Sequence, residues 1–197
     1  MHPRPDFRWK DEQDMRAFVA SRGFAHIFAQ TIEGPMVVHA PVTVMADGAL
    51  RFHVGRANRI RRHLDGAAVV ASIAADDSYI SPDWYDGPDQ VPTWNFRAVE
   101  VAGVARVLDE AALVAQLDAL SAAFEAGLAP KRPWTRAKMA PGTFEGMLPG
   151  ILAFEIADTI WRGTAKMSQN KTEADRRGVI DGLRGIGRGD VAAHIVP

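Results

Sequence analysis

The chain has 197 residues and a mass of 21.5 kDa, which favours a single domain because domains typically span about 100 to 200 residues. Hydrophobic residues make up 47% of the chain and charged residues 24%, so a folded globular protein is expected and extended disorder is not. The net charge of −1 provides no overall field that would hold nucleic acid, and the lack of cysteine excludes thiolate catalysis and disulfides.

The apolar segments of the chain are all short. None approaches the roughly 20 residues that a helix needs to cross a bilayer, and the first residues, Met1 to Asp6, lack the apolar core of an export signal. The sequence therefore predicts a cytoplasmic protein that makes no contact with a membrane.

The first part of the chain predicts one helix followed by paired strands. Residues 11–22 carry apolar side chains at helical spacing, and Gly23 lies where a helix C-cap is expected. Apolar and β-branched runs at 25–30 and 36–45 predict two strands. Asp47-Gly48 then predicts a two-residue hairpin, because these residues tolerate the positive φ angles of such a turn.

The middle of the chain predicts further strands around an irregular segment. Asn58 is expected to cap a short helix that ends near Leu64, and residues 67–75 predict a central strand. Residues 78–92 hold three prolines and predict an irregular excursion. Residues 94–108 resume a strand pattern, with Gly103 as a candidate bulge or close backbone approach.

The last part predicts two helices and one strand. Asp109 is expected to cap a helix whose apolar residues recur from Leu113 to Phe124, and residues 151–160 predict a strand. A final helix is predicted over 172–183, followed by a glycine-rich end that is expected to fray.

The order of these elements predicts the fold class. About six or seven strands that do not alternate with helices favour a mainly β (α+β) protein, an antiparallel barrel or sandwich with peripheral helices. We predict one domain over residues 1–197, with a C-terminal helix and tail from about residue 161.

A basic segment follows the hairpin. Five arginines and two histidines lie between residues 51 and 63 without an acid among them. Because Asn58 is predicted to begin a helix directly after a strand, free N–H groups would lie beside Arg56 and Arg59, an arrangement that can bind phosphate. The alternative is structural: Arg61 and Arg62 form a solvated helix face, and Arg51 pairs with an acid on a neighbouring strand.

Three further groups of side chains are candidates for binding. Aromatic residues cluster between residues 79 and 96 and predict either a planar-ligand site or core packing. A polar cluster over 166–171 exceeds what capping of the next helix requires, which indicates a polar ligand or a subunit contact. Four histidines lie near strands, namely His26, His39, His53 and His63; they lack metal-ligand spacing, so we predict structural histidines and no metal.

The chain resembles the PaiB-type proteins, a family often labelled FMN-binding negative transcriptional regulators, over nearly its whole length. Several blocks in the same order carry the resemblance: His39-x-Pro41, Gly55-Arg56-Ala57-Asn58, Tyr79-Ile80-Ser81-Pro82-x-Trp84-Tyr85, Val91-Pro92-Thr93-Trp94-Asn95, Lys166-x-Ser168-Gln169-Asn170 and Asp175-Arg176-x-Gly178-Val179-Ile180. The resemblance implies an antiparallel Greek-key split β-barrel related to pyridoxamine-phosphate oxidase, usually a homodimer with FMN bound where the subunits meet.

The same resemblance implies which residues contact the cofactor. The phosphate of FMN would be held by residues after the hairpin strand, with His39 and its strand along the flavin ring. Trp94 and Asn95 would approach the flavin from the next long strand, and the polar cluster would close the site. The implied cofactor-binding residues are His39, His53, Arg56, Asn58, Arg59, Trp94, Asn95, Lys166, Gln169 and Asn170.

The resemblance implies either a negative transcriptional regulator or an FMN-dependent oxidoreductase, for which the sequence designates no catalytic residue. DNA is a weakly supported partner, because the sequence has no helix-turn-helix pattern and only one basic patch. Two alternatives stay open: a ligand-sensing module that works without flavin, and a barrel that binds haem through a histidine.

Overall fold

The computed structural model describes residues 2–197. The chain forms two compact units. Unit 1 combines the chain up to Met15 with Ala74–Val99 and Arg162–Pro197, and unit 2 combines Arg16–Ile73 with Glu100–Trp161. The assignment of the whole chain to one domain stays a prediction.

Seven strands form one sheet. The strand order is β1-β7-β4-β3-β2-β5-β6, and β6 also pairs with β7, so the sheet returns to itself as in a barrel. The pairs β2–β3, β3–β4, β4–β7, β2–β5 and β1–β7 are all antiparallel. The predicted antiparallel barrel is thereby confirmed. The strands are β1 (Arg8–Trp9), β2 (Phe24–Thr31), β3 (Gly34–Val44), β4 (Leu50–Gly55), β5 (Ala68–Ile80), β6 (Thr93–Val107) and β7 (Ile151–Lys166).

Five α-helices accompany the sheet among residues 2–197: α1 (Glu12–Arg22), α2 (Glu110–Ala126), α3 (Thr143–Met147), α4 (Glu173–Gly185) and α5 (Gly189–Ala192). The predicted caps at Gly23 and Asp109 are confirmed: Gly23 ends α1 at a φ of 57°, and the Asp109 carboxylate accepts a hydrogen bond from the Ala112 N–H at 2.8 Å. Helix α4 is capped by the Thr172 hydroxyl, which accepts from the Asp175 N–H at 3.2 Å. No helix within residues 2–197 combines the length and the apolar character needed to cross a membrane.

The predicted hairpin joins β3 and β4, but its turn differs from the prediction. The Met45 N–H donates to the Ala49 carbonyl and the Gly48 N–H donates to the Met45 carbonyl, which leaves three residues in the loop. Gly48 has a φ of 90°, whereas Asp47 is not among the described residues with positive φ. The prediction of a two-residue turn was therefore wrong, because glycine alone provides the left-handed residue of a three-residue loop.

Alternating side chains of β2, β3 and β4 fill the core of unit 2. Ile27, Val42 and Phe52 are buried there, and the Phe52 ring stacks on that of Phe154 at a centroid distance of 5.4 Å. Each buried side chain of this size contributes roughly 1.5 to 3 kcal/mol. The backbone of Gly103 approaches closely, as predicted, because a Cβ atom there would lie 2.6 Å from Ile156 Cγ2.

The end of the chain departs from the sequence predictions. Strand β7 continues to Lys166 instead of ending near residue 160, and strand β5 includes residues 78–80, which were predicted to be irregular. The glycine-rich end does not fray: α5 follows, and Val191 and Ile195 are buried in one cluster with Leu183 of α4. An apolar helix face needs a cover, and the last residues provide it.

Candidate functional site

Unit 2 contains a surface cavity of about 260 Å³ in the segment after β4. We call this segment, residues 56–62, the arginine loop. The cavity is lined by Arg56, Ala57, Asn58, Arg59, Arg61 and Arg62. The Asn58 side chain caps the turn that follows by accepting from the Ile60 N–H at 3.2 Å. Arg56 is anchored through its Nε, which donates to the Pro149 carbonyl at 2.7 Å.

Neighbouring acids neutralise the two ends of the basic segment. Arg51 Nε donates to Glu155 on β7 at 2.6 Å, as the structural alternative predicted. Arg62 and His63 both lie near Glu33, at 3.7 and 3.2 Å. None of the ion pairs among residues 2–197 involves Arg56 or Arg59.

The short helix predicted after Asn58 is confirmed. It covers Arg59–His63 and is a 3-10 helix. Its few aligned peptides produce little macrodipole, so the helix end does not make an anion site by itself. The anion affinity of the arginine loop therefore depends on the guanidinium groups of Arg56 and Arg59.

The predicted histidines lie on strands and do not form one cluster. His39 pairs in register with His26, and their rings meet edge to face at 4.6 Å on the exposed side of β2 and β3. His53 on β4 has a buried Nδ1 with no hydrogen-bond partner among the described residues. Burial lowers the pKa of His53, so its imidazole is neutral at pH 7. Within residues 2–197 no three or more His, Asp or Glu side chains lie together in a way that could hold a metal ion.

Unit 1 contains a second cavity, of about 270 Å³, which we call the Lys166 cavity. It brings together three residues that were predicted to bind the cofactor: Asn95, Lys166 and Asn170. The complete lining is His2, Arg4, Phe7, Tyr85, Val91, Thr93, Asn95, Lys166, Ser168, Asn170 and Lys171. Three of the sequence blocks that carry the resemblance to the PaiB-type proteins therefore contribute to one cavity.

Two buried side chains in this lining each have a polar atom without a hydrogen-bond partner among the described residues. Asn95 is 1% exposed; its Nδ2 donates to Ser168 Oγ at 2.9 Å, while its Oδ1 has no partner among the described residues. Tyr85 is 8% exposed, and its hydroxyl likewise has no described partner. Ser168 adopts a φ of 59°, a left-handed conformation that costs free energy in a residue with a side chain.

Cations surround these polar atoms. Lys166 Nζ donates to Thr93 Oγ1 and lies 5.8 Å from the Phe7 ring centre. Lys171 Nζ donates to Gln90 Oε1 at 2.6 Å and lies 4.2 Å from the Tyr85 ring centre. Burial, followed by the charges of Arg4 and Lys171, lowers the pKa of the Lys166 ammonium. Of the described residues that line the cavity, none is acidic.

Gln169 and Trp94, the other two residues of unit 1 that were predicted to bind the cofactor, lie outside this lining. Gln169 is used locally: its Nε2 donates to the Asp6 carbonyl at 3.2 Å, and its Oε1 accepts from the Met167 N–H at 2.7 Å. Trp94 is 55% exposed and meets Tyr79 edge to face at 6.2 Å. Sequence reasoning did not include Arg4, Tyr85 or Lys171 among the binding residues, although Tyr85 and Lys171 belonged to the aromatic and polar clusters.

Helix α4 holds the segment that contains Tyr85. One Asp175 oxygen accepts from the Asp86 and Gly87 N–H groups at 3.0 and 3.4 Å. Burial favours a raised pKa for this carboxyl, but hydrogen bonds from Thr172, Asp86 and Gly87 outweigh that effect and lower it. Gly178 lets the helix approach closely, because a Cβ atom there would lie 2.0 Å from the Trp84 carbonyl oxygen.

Comparison with known proteins identifies relatives along most of the chain. A family model described as "Putative FMN-binding domain" matches residues 1–159. The Bacillus subtilis "Protease synthase and sporulation protein PAI 2" is 26% identical over 182 residues, which cover 90% of this chain and 86% of that protein.

Solved structures share the fold. The "FAD and Heme binding protein" of Mycobacterium smegmatis superposes with a TM-score of 0.58 at 20% identity, covering 81% of this chain and 73% of that one. A flavocytochrome of Azotobacter vinelandii superposes with a TM-score of 0.59 at 17% identity, covering 81% and 69%. Because the family model spans well over half of the sequence, the chain belongs to this FMN-binding domain family, as its resemblance to the PaiB-type proteins predicted.

Proposed function

We propose that this protein binds flavin mononucleotide as a homodimer and that the arginine loop holds the flavin phosphate. The observation that carries the proposal is the pair Arg56 and Arg59, which border a cavity and take part in none of the ion pairs of residues 2–197. Planar guanidinium groups donate two hydrogen bonds to a phosphate, and Asn58 between them adds a polar side chain.

A second polar group of unit 2, the imidazole of His53, is suited to contact the cofactor. His53 lies on the strand that leads into the arginine loop, and its buried Nδ1 has no hydrogen-bond partner within residues 2–197. A neutral imidazole can donate or accept one hydrogen bond at that atom, which suits a polar edge of a bound molecule. When bound, FMN would provide the redox chemistry, while these side chains bind and orient it.

The apolar outer face of β2 and β3 supports a homodimer. Phe24, Phe28 and Val37 are 50%, 45% and 44% exposed, and Phe28 and Val37 are register partners. Contiguous exposed apolar side chains on a sheet are typical of an interface. We propose that a second copy covers this face, with His26 and His39 at its centre. Light scattering should report a dimer for the wild type and a monomer for Phe28→Lys; a dimeric variant would contradict this assignment.

FMN binding is tested by titration of the apoprotein with FMN, followed by flavin fluorescence. Arg56→Ala and Arg59→Ala should each weaken FMN binding by about tenfold, because each removes charged hydrogen bonds. Arg106→Ala, which removes an exposed arginine of β6 in unit 2, is the control and should bind as the wild type does. Equal affinity in all four proteins would exclude the arginine loop as the phosphate site.

Control of transcription stays a prediction that rests on the family resemblance. It requires purified dimer to prefer its own promoter over random DNA at physiological salt, because nonspecific binding depends on charge alone. The cytoplasmic location also stays a prediction, as do flavin contacts by His39, Trp94 and Gln169. Asn95, Lys166 and Asn170 line the Lys166 cavity, for which we propose a different ligand below.

A further inference from the structure

We propose that the Lys166 cavity is a binding site for a small oxyanion that carries its own hydrogen-bond donor, and that no flavin ring occupies it. The cavity contains no residue of the arginine loop, so different variants test the two sites.

The charge of the lining selects an anion. Arg4, Lys166 and Lys171 face one cavity without an acid among the described lining residues. Burial lowers the pKa of Lys166, and the charges of Arg4 and Lys171 lower it further because the three cations repel one another. A bound anion relieves that repulsion, because it supplies the missing negative charge at a partly buried position.

The buried polar atoms favour a ligand that also donates a hydrogen bond. Asn95 Oδ1 accepts nothing from the described residues, although the side chain is 1% exposed and fixed by its bond to Ser168. A carbonyl oxygen left unpaired in such a place costs about 1 to 3 kcal/mol. A ligand O–H or N–H removes this cost, and the Tyr85 hydroxyl, which bonds to none of the described residues, can donate to the anionic oxygens.

The aromatic faces of the cavity argue against a flavin ring. The ammonium groups of Lys166 and Lys171 already lie over the rings of Phe7 and Tyr85. A flavin would need such a face for stacking, whereas a small oxyanion needs only the cations beside it.

The strained backbone of Ser168 supports a built site. Ser168 has a φ of 59°, and its hydroxyl accepts the hydrogen bond from Asn95 Nδ2. Strain of this kind persists where the surrounding structure enforces it, and it clusters at ligand sites.

Inorganic phosphate is the probe, and sulfate is its comparator. Phosphate keeps a P–O–H hydrogen at neutral pH, whereas sulfate has none, so only phosphate satisfies Asn95 Oδ1. Calorimetric titration at constant ionic strength should show one phosphate site per chain and weaker binding of sulfate. Equal binding of the two anions, or no phosphate binding, would overturn the proposal.

Variants locate the site. Lys166→Met and Lys171→Met should each weaken phosphate binding about tenfold or more, while Lys10→Ala, which removes an exposed lysine elsewhere in unit 1, should leave it unchanged. Unchanged phosphate affinity in both methionine variants would contradict the assignment, and circular dichroism spectra confirm that each variant is folded.

FMN titrations of the same variants distinguish this site from the proposed cofactor site. FMN affinity should be unchanged in Lys166→Met and reduced in Arg59→Ala. If Lys166→Met instead loses FMN, and FMN competes with phosphate in the wild type, the cavity binds the flavin phosphate and the proposal fails. If Arg59→Ala keeps full FMN affinity while phosphate binding behaves as predicted, only the arginine-loop assignment fails.

Discussion

Asn95 Nδ2 donates a hydrogen bond to Ser168 Oγ at 2.9 Å, which joins two sequence blocks 73 positions apart. With Nδ2 bonded to the serine, Asn95 Oδ1 has no partner among the described residues, and the side chain borders a cavity lined by Arg4, Lys166 and Lys171. This relationship explains why an asparagine is suited to the position: it donates to the serine and still offers an acceptor to a ligand.

Asn95→Asp is expected to abolish phosphate binding and to keep the fold. The carboxylate can accept from Ser168 Oγ, and its charge neutralises part of the surrounding cationic field, so it repels an anion and reduces the repulsion among the cations. Thermal unfolding should show a melting temperature equal to or above that of the wild type. Calorimetry should show no phosphate binding; retained binding would mean that Asn95 does not face the ligand.

Asp175→Ala is expected to destabilise the protein by about 1 to 3 kcal/mol, because the N–H groups of Asp86 and Gly87 lose their acceptor. The folded-state pKa of Asp175 is lowered, so its contribution is present above the ordinary value of 3.8 and is lost as pH falls through the folded-state pKa. The stability difference between wild type and variant, measured by urea unfolding, should therefore shrink at acidic pH. A difference independent of pH would contradict this role.

Gly182→Ala is expected to destabilise the protein by about 1 to 3 kcal/mol, the usual cost of overpacking. A Cβ atom at this position would lie 2.3 Å from Trp84 Cδ2. Gly185→Ala is the matched control in the same helix, because nothing lies within 4 Å of its Cβ position and alanine favours a helix over glycine. The control should unfold at or above the wild-type denaturant midpoint, and equal effects of the two substitutions would refute the packing argument.

His53 is expected to make the protein less stable in mild acid. Burial lowers its folded-state pKa below the ordinary value of 6.5, so the unfolded chain binds a proton first as pH falls. The free energy of unfolding should decrease from pH 6.5 down to the folded-state pKa and should not decrease further from this group. His53→Gln should show a flatter profile between about pH 7.5 and 5; an unchanged slope would exclude His53 as its source.

The sequence predicted much of the framework because local chemistry decides it. The side chains of Asn58 and Asp109 cap their helices by accepting hydrogen bonds from nearby N–H groups, and the alternation of apolar and polar residues identifies β4. The extension of β7 to Lys166 was not predictable in this way, because it depends on pairing with β1 at Trp9 and Gly163, a contact made between distant parts of the chain.

The candidate sites were predictable in part. The arginine loop is local, so its residues could be read from one segment. The Lys166 cavity is built from four segments of unit 1, and its cations from the N-terminus and from residue 171 become neighbours only in the folded chain. The orphaned Asn95 oxygen follows from a bond to Ser168 that no sequence spacing specifies.

The most direct test of the central claim is gel filtration of the purified protein after incubation with excess FMN, recorded at the protein and flavin wavelengths. We predict that flavin absorbance co-elutes with a dimer at one FMN per chain, and that the double variant Arg56→Ala/Arg59→Ala elutes without it. A wild-type protein that emerges colourless, with all flavin in the small-molecule fraction, would contradict the account.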